Sequence, residues 1–238
     1  RRKSADEQRQ RLMEHLAHKA GLDHTSAVLD IGCGPGAQSL EMAPLVNRVE
    51  GFDLAPNMIE LAKSNAVEDN CPNASFRALD WQTADLDSLG WRGQFELVLA
   101  SRTPAVNNRT TLEKMMAASR LACCMITHVE MRHSVRDQLK ALIPWDEQKS
   151  RMARSFFCAF NMLFLMGYYP EVEYIDRAWE SDSSLEEAEP MYLRFFESLG
   201  PLSPQQKEGL TRKLAELSSD GRVQESVQAK VALMFWSV

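Results

Sequence analysis

The chain has 238 residues, 45 % hydrophobic and 25 % charged, with a formal net charge of −6. That balance is ordinary for a soluble globular protein and allows one sizeable α/β domain or two small ones. The acidic excess gives no broad pull toward nucleic acid or an anionic membrane, so neither is expected as a partner.

In chain order, "RRKSADEQRQR" reads as a solvated helix start, and Leu12, Leu16 and Ala20 continue it at helical spacing up to Gly21. "AVLDIGCG" is a short buried strand, and Ala37 to Val46 a helix. Arg48 to Ala55 is a second strand. Pro56 opens a helix that carries Met58, Leu61 and Ala62 on one face. Ala74 to Trp81 and Gln94 to Ser101 are the third and fourth strands, a helix spans Leu112 to Leu121, and Ala122 to Val129 is the fifth strand. Such alternation means an α/β fold whose parallel sheet has helices on both faces. Farther on, "RSFFCAFNMLFLMGYY" is a helix ending at Gly167 and Glu171 to Glu180 a strand by its alternation. Helical segments follow near Met191–Leu199 and Pro204–Leu217, and "SVQAKVALMFWSV" is a final strand. One domain is expected over 1–238, with 182–224 as a helical insertion or cap. The longest apolar stretch, Ser155 to Tyr169, is interrupted by Asn161 and Gly167 and is too short for a bilayer. Five cysteines (Cys33, Cys71, Cys123, Cys124, Cys158) are odd in number and fit no zinc spacing. No metal site is expected. Free thiols and the lack of a leader pattern imply a cytoplasmic protein.

The stretch "VLDIGCGPGAQSL" carries the chemistry. Gly32, Gly34 and Gly36 followed by Ala37 fit a dinucleotide turn and equally an S-adenosylmethionine loop. Asp53, at the end of the second strand, serves ribose hydroxyls in either reading. Asp30 discriminates. A carboxylate two residues before the first glycine repels a pyrophosphate, whereas the ammonium and sulfonium of S-adenosylmethionine are attracted to it. An NAD(P)-dependent oxidoreductase remains the alternative.

"VLDIGCGPG", "VEGFDLAPNMIELAK" and "ALDW" together resemble the class I S-adenosylmethionine-dependent methyltransferases, over about Leu12 to Val129. The resemblance implies a Rossmann-like, seven-stranded, mostly parallel sheet with an antiparallel last strand and a helical insertion before it. It implies that Gly32, Cys33, Gly34 and Gly36 face the methionine portion and ribose through backbone atoms, and that Asp30 holds the ammonium side. Asp53 would bind both ribose hydroxyls with Leu54 beside the adenine. Asp80 would accept from the adenine amine and Trp81 would wall the ring. Ala100 and Ser101 would lie beneath the sulfonium.

The acceptor is less legible. In an open parallel sheet the loops after the fourth and fifth strands carry the substrate, here "SRTPAVNNRTT" and "THVEMRHSVRD". Arg102 and Asn107 are candidate substrate contacts, against the plainer reading of loop capping. The sequence S-R-T-P disfavours the amino-methylating enzymes that carry an N/D-P-P-Y-type motif. His128 and Glu130, with His133 nearby, are candidate general bases. Cover for the acceptor is sought in the N-terminal helix, in 131–150 and in 182–224. "MYLRFFESLG" reads as a lid, a partner-binding helix or a dimer helix, so a homodimer is one expectation. The leading reading is a small-molecule methyltransferase. The other class is a non-catalytic S-adenosylmethionine-binding sensor or scaffold.

Overall fold

The computed structural model describes residues 2–143 and 151–238, with side chains described over 7–143 and 154–238. The segment 144–150, part of the stretch considered as acceptor cover, therefore lies outside the described residues. Seven strands form a single sheet in the order β3-β2-β1-β4-β5-β7-β6. The strands are β1 (Ala27–Ile31), β2 (Arg48–Asp53), β3 (Ala74–Ala78), β4 (Phe95–Ser101), β5 (Ser119–His133), β6 (Glu171–Ser184) and β7 (Arg222–Ser237). β1 to β5 pair in parallel, and β7 is antiparallel between β5 and β6. This is the mostly parallel, Rossmann-like sheet that the sequence predicts.

Two compact units divide the chain: one of 1–128, 151–174 and 232–238, the other of 129–150 and 175–231. The second unit is larger than the 182–224 insertion expected, because it also takes the far ends of β5, β6 and β7.

In the first unit, β1 and β4 are buried along their whole length, which is why both read as near-continuous apolar runs. Alternation along β1 sends Ala27, Leu29 and Ile31 into a core with Phe52, Trp81, Trp91, Phe95, Leu112 and Trp236. Val28 and Asp30 therefore point to the opposite face. The helices packed around this sheet are α1 (Arg2–Lys19), α2 (Ala37–Met42), α3 (Pro56–Glu68), α4 (Leu86–Leu89), α5 (Arg109–Ala118) and α7 (Arg151–Leu165). Their ends follow from local chemistry. Gly21 adopts φ +63° after α1, and Leu22 N–H closes on Ala17 C=O at 2.8 Å. Pro56 opens α3. Asn108 caps α5 in a reciprocal box with Thr111. α5 stops three residues before the expected Leu121, and β5 begins at Ser119. α7 buries Phe156, Ala159 and Leu163 in the core.

In the second unit, α6 (Arg136–Lys140), α8 (Leu185–Glu197) and α9 (Pro204–Leu217) enclose a smaller core of Val135, Leu139, Tyr192, Phe196, Leu210, Leu214 and Val223. Ser184 with Glu187, and Ser203 with Gln206, form the capping boxes that start α8 and α9. The segment of β7 in this unit alternates buried and exposed, as a sheet covered on one face does, whereas Val231 to Trp236 are all buried. Among the described residues, no helix is long and apolar enough to cross a membrane.

Candidate cofactor site

The strand register brings the candidate residues to one edge of the sheet. Ile31 is level with Phe52 on β2 and Ala100 on β4, and Asp53 is level with Ala78 on β3. The residues that follow these strand ends, Gly32, Leu54, Leu79–Asp80 and Arg102, thus surround the carboxyl edge of the first unit, where open α/β sheets hold their ligands.

The glycine turn is held at every step. Cys33 N–H donates to Phe52 C=O at 2.9 Å and Gly36 N–H to Cys33 C=O at 3.1 Å. Asn65 on α3 donates to Pro35 C=O at 3.0 Å. Asp53 joins the turn to the next strand: one oxygen accepts Gly34 N–H at 3.0 Å and the other accepts Ala55 N–H at 2.9 Å. The glycines have different reasons. Gly32 has φ +67°, and a Cβ there would lie 2.1 Å from Thr103 Oγ1. Gly34 has φ +55° with nothing within 4 Å of where a Cβ would stand. The space in front of the turn is therefore at Gly34. At Gly36 a methyl would press on Phe76 and Ala62.

Asp30 is 1 % exposed and accepts from Ser39 Oγ of α2 at 2.7 Å. Burial pushes its carboxyl up to about 6, the nearby Asp53 adds to this, and the Ser39 hydroxyl and the Arg102 charge oppose it. Burial likewise pushes the Cys33 thiol up, so Cys33 is held as a neutral thiol and not a nucleophile.

Asp80 holds Gln82 N–H at 2.9 Å. Leu54 is 70 % exposed beside Asp53. Ala100 and Ser101 are buried, and Ser101 Oγ accepts from Gln38 at 3.2 Å. The indole of Trp81 lies inward of this edge. β3 ends at Ala78 and the chain turns inward, so the indole is 2 % exposed, stacks on Phe52 at 5.3 Å and donates to Thr111 C=O at 3.2 Å. It is part of the core beneath the edge.

Among the proposed acceptor contacts, Arg102 has φ +52°, uncommon for a residue with a side chain, and its N–H is fixed on Ile126 C=O at 2.8 Å. Its surroundings and the charge of Arg9 hold its pKa below the ordinary arginine value, while Asp30 acts the other way. Asn107 is used locally, donating to Pro104 C=O at 2.9 Å and accepting from Asn108 at 2.8 Å. The expected loop after the fifth strand is instead strand, because β5 runs on to His133. His128 is partly buried and ends a segment of the first unit. Glu130 lies in the second unit, exposed and paired with Arg132 at 2.6 Å. His133 is buried there beside Glu225 at 3.4 Å, with its N–H on Asp137. No group of three or more His, Cys, Asp or Glu among the described residues is arranged to hold a metal.

A family model described as a methyltransferase domain matches residues 22–156. The chain thus belongs to the S-adenosylmethionine-dependent methyltransferases of class I, and S-adenosylmethionine is the cofactor. A putative methyltransferase from Bacillus halodurans shares the fold, with a TM-score of 0.56 at 15 % identity over 94 % of this chain and 97 % of that one. Among curated relatives, an uncharacterized protein of Haemophilus influenzae is 24 % identical over 94 % of this chain and 81 % of its own length. A 23S rRNA (uracil(1939)-C(5))-methyltransferase of Shewanella frigidimarina is 33 % identical over 37 % of this chain and 20 % of its own. The chain spans less than a quarter of the RNA methyltransferases that it matches.

Proposed function

We propose that the protein transfers the methyl group of S-adenosylmethionine to a small-molecule acceptor, with the cofactor held at the glycine turn. The observation that carries the cofactor placement is the Asp53 carboxylate, fixed by two backbone N–H groups directly behind the open space at Gly34. Each of its oxygens retains a lone pair for a ribose hydroxyl. Asp30 supplies negative charge under the ammonium side, Asp80 accepts from the adenine amine, and Leu54 covers the ring. Arg102, within electrostatic reach of Asp30, suits the methionine carboxylate better than an acceptor. The bound cofactor supplies an electrophilic methyl on a sulfonium. The chain's own contribution is alignment of the acceptor and exclusion of water over buried Ala100 and Ser101.

Asp30 makes this reading pH-dependent. Its pKa in the folded protein is raised to about 6, so ionised Asp30 costs stability above that pH and the cost is relieved as pH falls toward the ordinary aspartate value. A cationic ligand needs the ionised form. Affinity for S-adenosylmethionine is expected to fall as pH drops below about 6, and Asp30→Asn is expected to bind more weakly but with a flat profile there. Calorimetric titrations between about pH 7.5 and pH 5 check this; a wild-type affinity constant across that range contradicts it.

Glu130 is occupied by Arg132 on an exposed strand, and His128 is the better placed of the two proposed bases. Glu130→Gln is expected to change kcat less than about threefold, and His128→Gln to lower it about tenfold or more, within the range of general-base effects. Equal losses in both variants contradict the assignment.

The net charge of −6 supports a small acceptor. The second reading is RNA, favoured by relatives named for methylating uracil in 23S rRNA and tRNA. Methyl-labelled cofactor incubated with the purified protein and either the small-molecule fraction of an extract or total RNA separates the two. Label is expected in the first pool. Label in RNA overturns the small-acceptor reading, and label in neither, with cofactor still bound, points to a sensor.

A further inference from the structure

Lys114, in the middle of α5, is placed unlike the other lysines. The six others whose side chains are described each pair with a carboxylate. The Lys114 ammonium instead donates to three backbone carbonyls of one turn, those of Trp81 at 2.9 Å, Gln82 at 3.2 Å and Ala84 at 2.7 Å. An ammonium has three N–H donors and no acceptor, so the group is fully spent on the turn. These carbonyls lie outside helix and strand, and among the described residues no backbone N–H closes on them. Lys114 is what satisfies them. Its charge also lies over the Trp81 ring, 5.4 Å from the centroid.

The turn begins at Asp80. Asp80 C=O accepts from Thr83 and Ala84 N–H at 3.2 and 2.9 Å, and one carboxylate oxygen accepts from Gln82 N–H at 2.9 Å. The other oxygen takes no donor among the described residues and is left for a ligand. Just before Asp80, Leu79 N–H donates to Asp53 C=O at 2.9 Å, which ties that side to β2. The far side has no strand to lean on, because β3 ends at Ala78. α5 holds it instead, through the Trp81 indole on Thr111 C=O at 3.2 Å and through Lys114. α5 is itself fixed by its Asn108–Thr111 box and by Leu112 and Met115 in the core. Hydrogen bonds weaken steeply as their angle departs from linear, so the aim of the Asp80 carboxylate depends on how firmly this turn is held. We propose that Lys114 is a positioning residue that aims Asp80 at the ligand and thereby sets the preference for a 6-amino purine. The inference rests on the assignment of Asp80 to the adenine amine.

The probes are S-adenosylhomocysteine and its analogue with hydrogen in place of the 6-amino group, each titrated calorimetrically into the full chain. Wild type is expected to prefer S-adenosylhomocysteine by about tenfold or more, the range of one hydrogen bond to a charged group. Lys114→Met keeps the apolar stem over Trp81 and removes the charge. It is expected to weaken S-adenosylhomocysteine by about tenfold and the analogue by less than about twofold, since only the first has a donor for Asp80. Lys114→Arg, which keeps the charge and several N–H donors, is expected to retain most of the preference. Lys114→Gln, with one amide in place of the ammonium, gives the same reading as Lys114→Met if that variant does not fold. An equal loss for the two ligands makes Lys114 a brace of the fold only and overturns the inference. Asp80→Ala separates the inference from the assignment beneath it. Preference lost in Asp80→Ala but kept in Lys114→Met or Lys114→Gln overturns the inference alone, whereas preference kept in Asp80→Ala overturns the placing of the adenine amine on Asp80.

Discussion

Asp53→Ala is expected to weaken S-adenosylhomocysteine binding by about a hundredfold. The carboxylate accepts from Gly34 and Ala55 N–H groups at 3.0 and 2.9 Å, and in the proposed complex it also takes two ribose hydroxyls. Hydrogen bonds to a charged group contribute about 1.5–3 kcal/mol each. Losing the ribose contacts and loosening the turn together costs about 3 kcal/mol of binding, which is roughly a hundredfold in Kd. Asp53→Asn keeps the shape and one acceptor oxygen, so an intermediate loss is expected. Calorimetry measures both, and an Asp53→Ala variant with wild-type affinity shows that the cofactor lies elsewhere.

Gly32→Ala is expected to lower stability by about 3 kcal/mol. A left-handed backbone costs an alanine about 1–2 kcal/mol, and forcing a methyl into packed atoms costs a further ~1–3 kcal/mol. Here the methyl would stand 2.1 Å from Thr103 Oγ1 and 2.6 Å from Thr103 Cβ, neither of which is the end of a flexible chain. Thr103→Gly in the same molecule is expected to recover the steric part and leave the backbone part. Gly34→Ala is the informative contrast. Nothing lies within 4 Å of its Cβ, so the loss of stability is limited to the backbone cost while cofactor affinity falls, because the methyl occupies the space in front of the turn. Urea unfolding compares the variants. An unchanged midpoint for Gly32→Ala contradicts the packing argument.

These two residues show where the sequence was informative. β1 and β4 are covered on both faces, so "AVLDI" and "FELVLAS" are apolar without alternation and announce a parallel sheet. Asp30, Gly32, Gly34, Gly36 and Asp53 lie on or next to these central strands, where register carries them to one edge. Trp81 fell outside that logic. It lies three residues past the end of β3, where strand alternation no longer fixes side-chain direction, and the turn took the indole into the core. The glycines were legible as a group and not as individuals: their shared motif hides that Gly32 makes room for Thr103 and Gly36 for Phe76, while Gly34 faces open space.

The acceptor side was less legible for a different reason. "THVEMRH" is polar enough to read as a loop, yet it continues β5 into a second unit whose sheet is covered on one face, so polar residues are tolerated on the other. His133 belongs to a buried group with Glu225 and Arg136 in that unit, and the partners come from β7 and α6, far apart in sequence. The five-residue α6 and four-residue α4 are too short to show a helical period.

The most direct test of the account is a calorimetric titration of the wild-type protein with S-adenosylhomocysteine and, separately, with NADH. Saturable binding of S-adenosylhomocysteine, strongly reduced in Asp53→Ala, is expected, with no response to NADH. Saturable NADH binding with no response to S-adenosylhomocysteine would contradict it.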